Sequence, residues 1–217
     1  MIELKNCIGK YIYGKDSNDS EIWCFGLESF IKESWGGTLF STQGIFNVGD
    51  SWFNINVSCS VGDEYEGTFT VLKVFDDPQS LLDHIMSRFK EEMALVGYDV
   101  DNDNNSSLNM TGTHYDSIKI DQCIGKYVAT KHGCALWIFN LQKVTKSPMY
   151  KNQVDIEGLA ILDSTSGDDV CLEGTTHIYM TGKELKDVTL YDNPKALLKD
   201  IEDYIKEEID VCSGLKW

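Results

Sequence analysis

The feature that most constrains this chain is an internal echo, offset by about 116 positions. Residues 2–12 read IELKNCIGKYI and residues 118–128 read IKIDQCIGKYV, so Cys-Ile-Gly-Lys-Tyr occurs twice without change. A second echo at the same offset sets Phe75-Asp-Asp-Pro-Gln-Ser-Leu-Leu against Tyr191-Asp-Asn-Pro-Lys-Ala-Leu-Leu. Between them, Ile22-Trp23-Cys24-Phe25-Gly26-Leu27 answers Leu136-Trp137-Ile138-Phe139-Asn140-Leu141, two places out of register. A repeat of this length is too long for a solenoid unit and long enough to bury its own core. The sequence therefore predicts two copies of one small domain.

Each copy opens with short runs rich in aromatic and branched residues, separated by polar turns, which is the pattern of a β-meander. The expected strands are 7–13, 22–27, 52–59 and 68–75 in the first copy, and 123–130, 136–141 and 155–162 in the second. Each copy then changes period. Leu81, Leu82, Ile85, Met86, Phe89 and Met93 recur at helical spacing, as do Leu197, Leu198, Ile201, Ile205 and Ile209. Pro78 and Pro194 stand where a first helical residue belongs, and Asp77 and Asn193 just before them suit N-caps. The predicted class is α+β: a tandem duplication in which each copy is an antiparallel β-meander closed by a C-terminal amphipathic helix. Residues 1–97 form the first repeat, 98–117 a polar linker and 118–217 the second repeat.

Repetition inside one chain also separates fold from function. Residues kept in both copies, such as Trp23 with Trp137 and Phe25 with Phe139, are expected in the core. Trp35, Trp52, Tyr150 and Trp217 have no counterpart and are the better candidates for recognition. On the 52–59 strand, Phe53, Ile55, Val57 and Cys59 alternate with Trp52, Asn54, Asn56 and Ser58, so the second set is expected to face outward.

The formal charge is −16. Such a field repels nucleic acid and anionic membrane and draws in basic partners. Residues 1–100 hold 16 acidic against 7 basic residues, so the acidity is concentrated in the first half. Arg88 is the sole arginine, which leaves bidentate phosphate recognition poorly supplied. The start of the sequence shows no secretory leader pattern and no apolar run approaches a membrane span, so a cytoplasmic protein is expected. Seven cysteines without a Cys-x-x-Cys pair fit buried thiols in a reducing compartment.

The residues offer no grammar of catalysis. Asp99, Asp101, Asp103 and Asn105 alternate like the start of a calcium loop, but Asn104 stands where the turn glycine belongs and Met110 where the bidentate glutamate belongs. His84, His114, His132 and His177 are scattered without zinc spacing. Cys171 with His177 lacks a third group, and Trp35-Gly36-Gly37-Thr38 lacks the rest of a phosphate loop. No catalytic residue, metal ligand or cofactor is expected. The reading is a non-enzymatic binding protein, an acidic inhibitor or immunity-type protein acting on a basic protein, with Trp35, Trp52, Asn54, Asn56, Glu64, Tyr65 and Glu66 as the partner-binding set. The alternative is a small-ligand binder or enzyme with a cleft between the repeats, lined by Glu64, Tyr65 and Glu66.

Overall fold

The structure is a computed structural model that describes residues 2–32, 37–48, 52–58, 63–101, 109–131, 135–146, 153–163, 170–173, 177–181, 184–214 and 217. It is α+β, with antiparallel strands and two α-helices. The chain divides into two compact units, Met1–Leu95 with Glu202–Trp217, and Val96–Ile201.

In the first unit, a 3-10 turn at Leu4–Asn6 leads into strands β1 (Tyr11–Asp16), β2 (Glu21–Lys32), β3 (Thr38–Val48), β4 (Asn54–Ser58), β5 (Asp63–Gly67) and β6 (Phe69–Phe75). Their order is β6–β1–β2–β3–β4, and β5 pairs with the first half of β3. Helix α1 (Pro78–Leu95) follows and packs on β1, β2 and β6. Register puts Tyr13 opposite Trp23, Trp23 opposite Phe46 and Phe46 opposite Val57, so one row of large side chains crosses four strands. Phe89 of α1 meets that row, its ring 6.0 Å from Phe46. The opposite face buries Ile12, Ile22, Cys24 and Ile45 under Leu4 and Cys7. With both faces covered, β2 is buried on every residue from Ile22 to Leu27. This is why its apolar run is continuous rather than alternating.

The second unit contains β7 (Thr113–Lys119), a 3-10 turn at Ile120–Cys123, β8 (Tyr127–Thr130), β9 (Ala135–Lys146), β10 (Gln153–Asp163), β11 (Val170–Glu173), β12 (His177–Thr181) and β13 (Glu184–Tyr191). The order is β7–β13–β8–β9–β10; β12 pairs with the first half of β10, and β11 with β12. Ala129, Trp137 and Ile161 form one row across the sheet. Ile118, Ile120, Cys123, Val128, Ile138 and Ala160 fill the core of the other face. Helix α2 (Pro194–Ser213) has its opening turns in this unit, while Glu202–Trp217 belongs to the first.

Both helices start where their sequences predict. Asp77 Oδ1 accepts the Ser80 amide at 2.8 Å, and Asn193 Oδ1 accepts the Ala196 amide at 2.8 Å. Each cap satisfies an amide that the helix cannot pair internally.

The twice-written Cys-Ile-Gly-Lys-Tyr is a turn rather than the start of a strand, so β1 and β8 begin four residues later than expected. Lys10 N donates to Cys7 O at 2.9 Å with Gly9 at φ +74°, and Lys126 N donates to Cys123 O at 3.0 Å with Gly125 at φ +78°. A type II turn requires that positive φ at its third position, which explains the repeated glycine. The turn is then sewn to the next strand: Gly9 N reaches Leu27 O at 2.8 Å, and Gly125 N reaches Leu141 O at 2.7 Å. Lys10–Asp76 (2.5 Å) and Lys126–Asp192 (2.9 Å) account for the repeated lysine.

Six strands escaped the sequence reading: β3, β5, β7, β11, β12 and β13. β7 occupies the end of the stretch read as a linker. Earlier in that stretch Val100 is buried and Tyr98 sets its ring edge-on to Phe139 at 5.6 Å.

Candidate functional site

The residues that differ between the echoing segments converge at the joint between β2 and α1. Trp23 Nε1–H donates to His84 Nδ1 at 3.0 Å. Tyr13 lies against both rings, 5.0 Å from Trp23 and 4.7 Å from His84. Its hydroxyl donates to Glu21 Oε2 at 3.0 Å. Arg88 closes the group: Nη2 donates to Glu21 Oε1 and to Glu92 Oε1, each at 3.1 Å, and Nη1 pairs with Glu91. The guanidinium also lies over Trp52, 5.0 Å from its centroid. At offsets of 114 to 116, Ala129, Ala135, Asp200 and Tyr204 stand in place of Tyr13, Glu21, His84 and Arg88.

Burial and neighbours set the charge states. His84 is half-buried, and desolvation, with smaller help from Lys73 and Arg88, moves its pKa below the ordinary value of 6.5. The neutral ring accepts from Trp23 at Nδ1, so its own proton sits on Nε2. Burial and the Glu21 carboxylate push the Tyr13 phenol up to about 12, which keeps it a donor at neutral pH. Three carboxylates surround one guanidinium and take four of its five N–H donors, so an anionic ligand would meet like charge here. The arrangement is a polar clamp that fixes α1 to the sheet.

Trp52 is part of this clamp. The alternation expected for 52–59 holds for Phe53, Ile55 and Val57, all buried, and places Asn54 and Asn56 on the other face. Trp52 departs from it because it precedes β4, and it turns in to meet Trp23 at 5.4 Å and Phe89 at 5.7 Å. Asn54 and Asn56 are half-buried, and Asn54 Oδ1 is a buried oxygen without a hydrogen-bond donor among the described residues. Trp35 and Tyr150 lie outside the described residues, as do Asp103, Asn105 and His132. Trp217 packs within the first unit, its ring 6.1 Å from Phe25.

The acidic members of the predicted set fall together on β5. Positions 64, 65 and 66 pair with Ser41, Phe40 and Leu39, so 64 and 66 share a face and 65 takes the other. Glu66 is exposed. On the neighbouring end of β2, Glu28 accepts from the Ser41 hydroxyl at 3.3 Å, and Ile31 is 60% exposed. The matching end of the second unit differs in kind. Gln142 and Thr145 stand for Glu28 and Ile31, and register aligns His177, Ile178 and Met180 with Asp63, Glu64 and Glu66. There Lys143 pairs with Glu157 at 3.2 Å.

The clamp of Tyr13, Glu21, His84 and Arg88 was missed from sequence, although Arg88 was noted as the sole arginine. Its signal was available, since each member is replaced in the second echo. Comparison with protein-family models, with curated proteins and with solved structures finds no match for this chain. No helix among the described residues is long and apolar enough to cross a membrane.

Proposed function

We propose that the chain is two copies of one α+β domain, and that the first copy is the binding unit of a non-enzymatic protein that engages a basic macromolecule, in the manner of an inhibitor or immunity protein. The observation that carries this reading is where the copies diverge in charge. Residues 1–97 hold 15 acidic against 7 basic residues, and residues 118–217 hold 16 against 12. The excess includes positions 28, 63, 64 and 66, for which the second copy has Gln142, His177, Ile178 and Met180. Drift would scatter such differences; here they gather on one end of one sheet, beside an isoleucine that the fold leaves in solvent.

The duplication itself is supported by more than the echoes. The same turn, the same pair of strand-to-turn hydrogen bonds, the same lysine–aspartate pair and the same capped helix start occur in both units. Buried free thiols at Cys7, Cys24 and Cys123 support a reducing, intracellular setting.

The test is affinity capture at low salt with the full chain as bait, run beside a Glu28→Lys, Glu66→Lys double variant. The reading expects a basic protein that the variant fails to retain and that 0.5 M salt releases, because the Debye length falls to roughly 4 Å there. A captured set that is unchanged by both the variant and the salt contradicts it.

A further inference from the structure

The fold accounts for four of the five residues in each copy of Cys-Ile-Gly-Lys-Tyr. Cys7 and Cys123 are fully buried, Gly9 and Gly125 hold the positive φ, and Lys10 and Lys126 make equivalent ion pairs with aspartates. Tyr11 and Tyr127 open the pairing with β6 and β13. The isoleucine is left over. Ile8 is 47% exposed and Ile124 48%. Each occupies the second position of its type II turn, Ile124 at φ −58° and ψ 131°, where most residues fit and proline is favoured.

Exposed neighbours of the turn differ between the copies. Glu3, Lys5 and Asn6 are answered by Lys119, Asp121 and Gln122, and all six are exposed. An exposed side chain that is identical in both copies, among exposed neighbours that are not, is held by something other than the fold. Its exposure does not depend on what precedes the turn. β7 and a 3-10 turn lead into the second turn, and Ile124 is as open there as Ile8 is in the first unit.

We infer that Ile8 and Ile124 are two equivalent anchors for a partner protein, each entering an apolar pocket of isoleucine size, so that one chain engages two such pockets. This rests on the reading of the two units as copies and not on the acidic surface of the first. Charge decides the kind of pocket. The change from Glu3 to Lys119 and from Lys5 to Asp121 reverses the local charges, so one partner finds no common electrostatic feature to read at both places. The lysine that the turns share is already met by its aspartate. What remains common is the isoleucine and its mounting. Gly9 N donates to Leu27 O at 2.8 Å and Leu27 N to Lys10 O at 2.9 Å; Gly125 N donates to Leu141 O at 2.7 Å and Leu141 N to Lys126 O at 3.2 Å. Each isoleucine therefore stands on a turn fixed at two points, which lowers the ordering cost of binding. A bilayer fits less well, since one aliphatic side chain per unit buries too little area to hold a chain of charge −16 at an anionic surface.

The test places the photocrosslinker p-benzoylphenylalanine at position 6 or position 122 of the full chain, two residues before each isoleucine, in the cells that make it. One and the same protein is expected from both positions. Ile8→Ser and Ile124→Ser should each abolish capture at the adjacent position without moving the thermal midpoint, while Ile8→Val and Ile124→Val keep it. With that protein purified, titration calorimetry should show two sites per chain, one in either serine variant and none in the double variant. Salt at 0.5 M should leave the affinity of each site nearly unchanged, because an apolar contact is not screened. No capture from either position, different proteins from the two, or capture that survives the serine changes overturns the inference. Capture that 0.5 M salt releases and the serine changes do not affect assigns the contact to charge; the inference then falls while the acidic surface stands. Sedimentation of the chain with phosphatidylcholine vesicles, lost in the double variant, would name a lipid surface as the occupant and also overturn it.

Discussion

The first and second units join helix to sheet with the same tryptophan and different acceptors. In the first, Trp23 donates to a histidine on α1; in the second, Trp137 donates to Asp200 Oδ2 at 2.8 Å. Asp200 also accepts the Tyr191 hydroxyl at 2.7 Å, and Lys131 stands 3.8 Å away. One carboxylate thus satisfies two donors in the second unit, whereas the first spreads the work over His84, Glu21 and Arg88. The indole N–H of a buried tryptophan must find some acceptor, and the fold tolerates more than one chemistry for it. A position can therefore be structurally obligatory in its role and free in its residue type.

The largest effect expected of a single change is in the aromatic stack of the first joint. Phe89→Ala should destabilise the first unit by about 3–5 kcal/mol, since the ring is fully buried against Phe46 and Trp52. Chemical denaturation followed by the fluorescence of a chain that keeps only Trp23 checks it. A loss below about 1 kcal/mol would mean that α1 does not close this core.

Next come the acceptors themselves. Asp200→Ala strands two donors and should cost about 2 kcal/mol or more, and His84→Ala strands one and should cost about 1 kcal/mol. Equal losses would remove the distinction between the joints. Arg88→Met should cost about 1–2 kcal/mol, because it leaves Glu21, with its side chain only 11% exposed, facing no cation at this position. The smallest effects belong to Lys10→Ala and Lys126→Ala, whose exposed partners limit each to under ~1 kcal/mol; a matched thermal shift in both variants would support the equivalence of the two turns.

Much of this was legible in the sequence because repetition acts as an internal comparison. The helix starts at Pro78 and Pro194 were readable from a proline behind a capping residue, a rule that depends on three or four neighbouring positions. Trp23 and Trp137 were readable as core because both echoing segments keep them. What stayed hidden depended on contacts far apart in the chain. β3 follows a glycine pair that reads as a loop, and only its pairing with β2, β4 and β5 explains it. β7 carries one core residue in seven, so its polar sequence looks like a linker until β13 lies beside it. Trp52 was read as outward because strand alternation was extended one turn too far, into residues that precede β4. Glu21 lies more than 60 positions from both His84 and Arg88, and no local pattern brings it to them.

The difference between the two joints is most directly measured by following the indole N–H resonances of Trp23 and Trp137 through a pH titration. Burial, Lys73 and Arg88 lower the pKa of His84, while Glu21 and Glu91 oppose the shift. The neutral ring is therefore favoured on folding, so its contribution to stability is intact above about pH 6.5 and is lost as pH falls through the lower folded value. Protonation turns Nδ1 from acceptor to donor and ends the bond from Trp23. The Trp23 resonance should move below about pH 6.5 and cease to do so in His84→Gln, while the Trp137 resonance stays in place through the same window because its acceptor is a carboxylate. Two resonances that move together, or a Trp23 signal indifferent to both pH and the His84 substitution, would contradict the assignment of different acceptors to the two units.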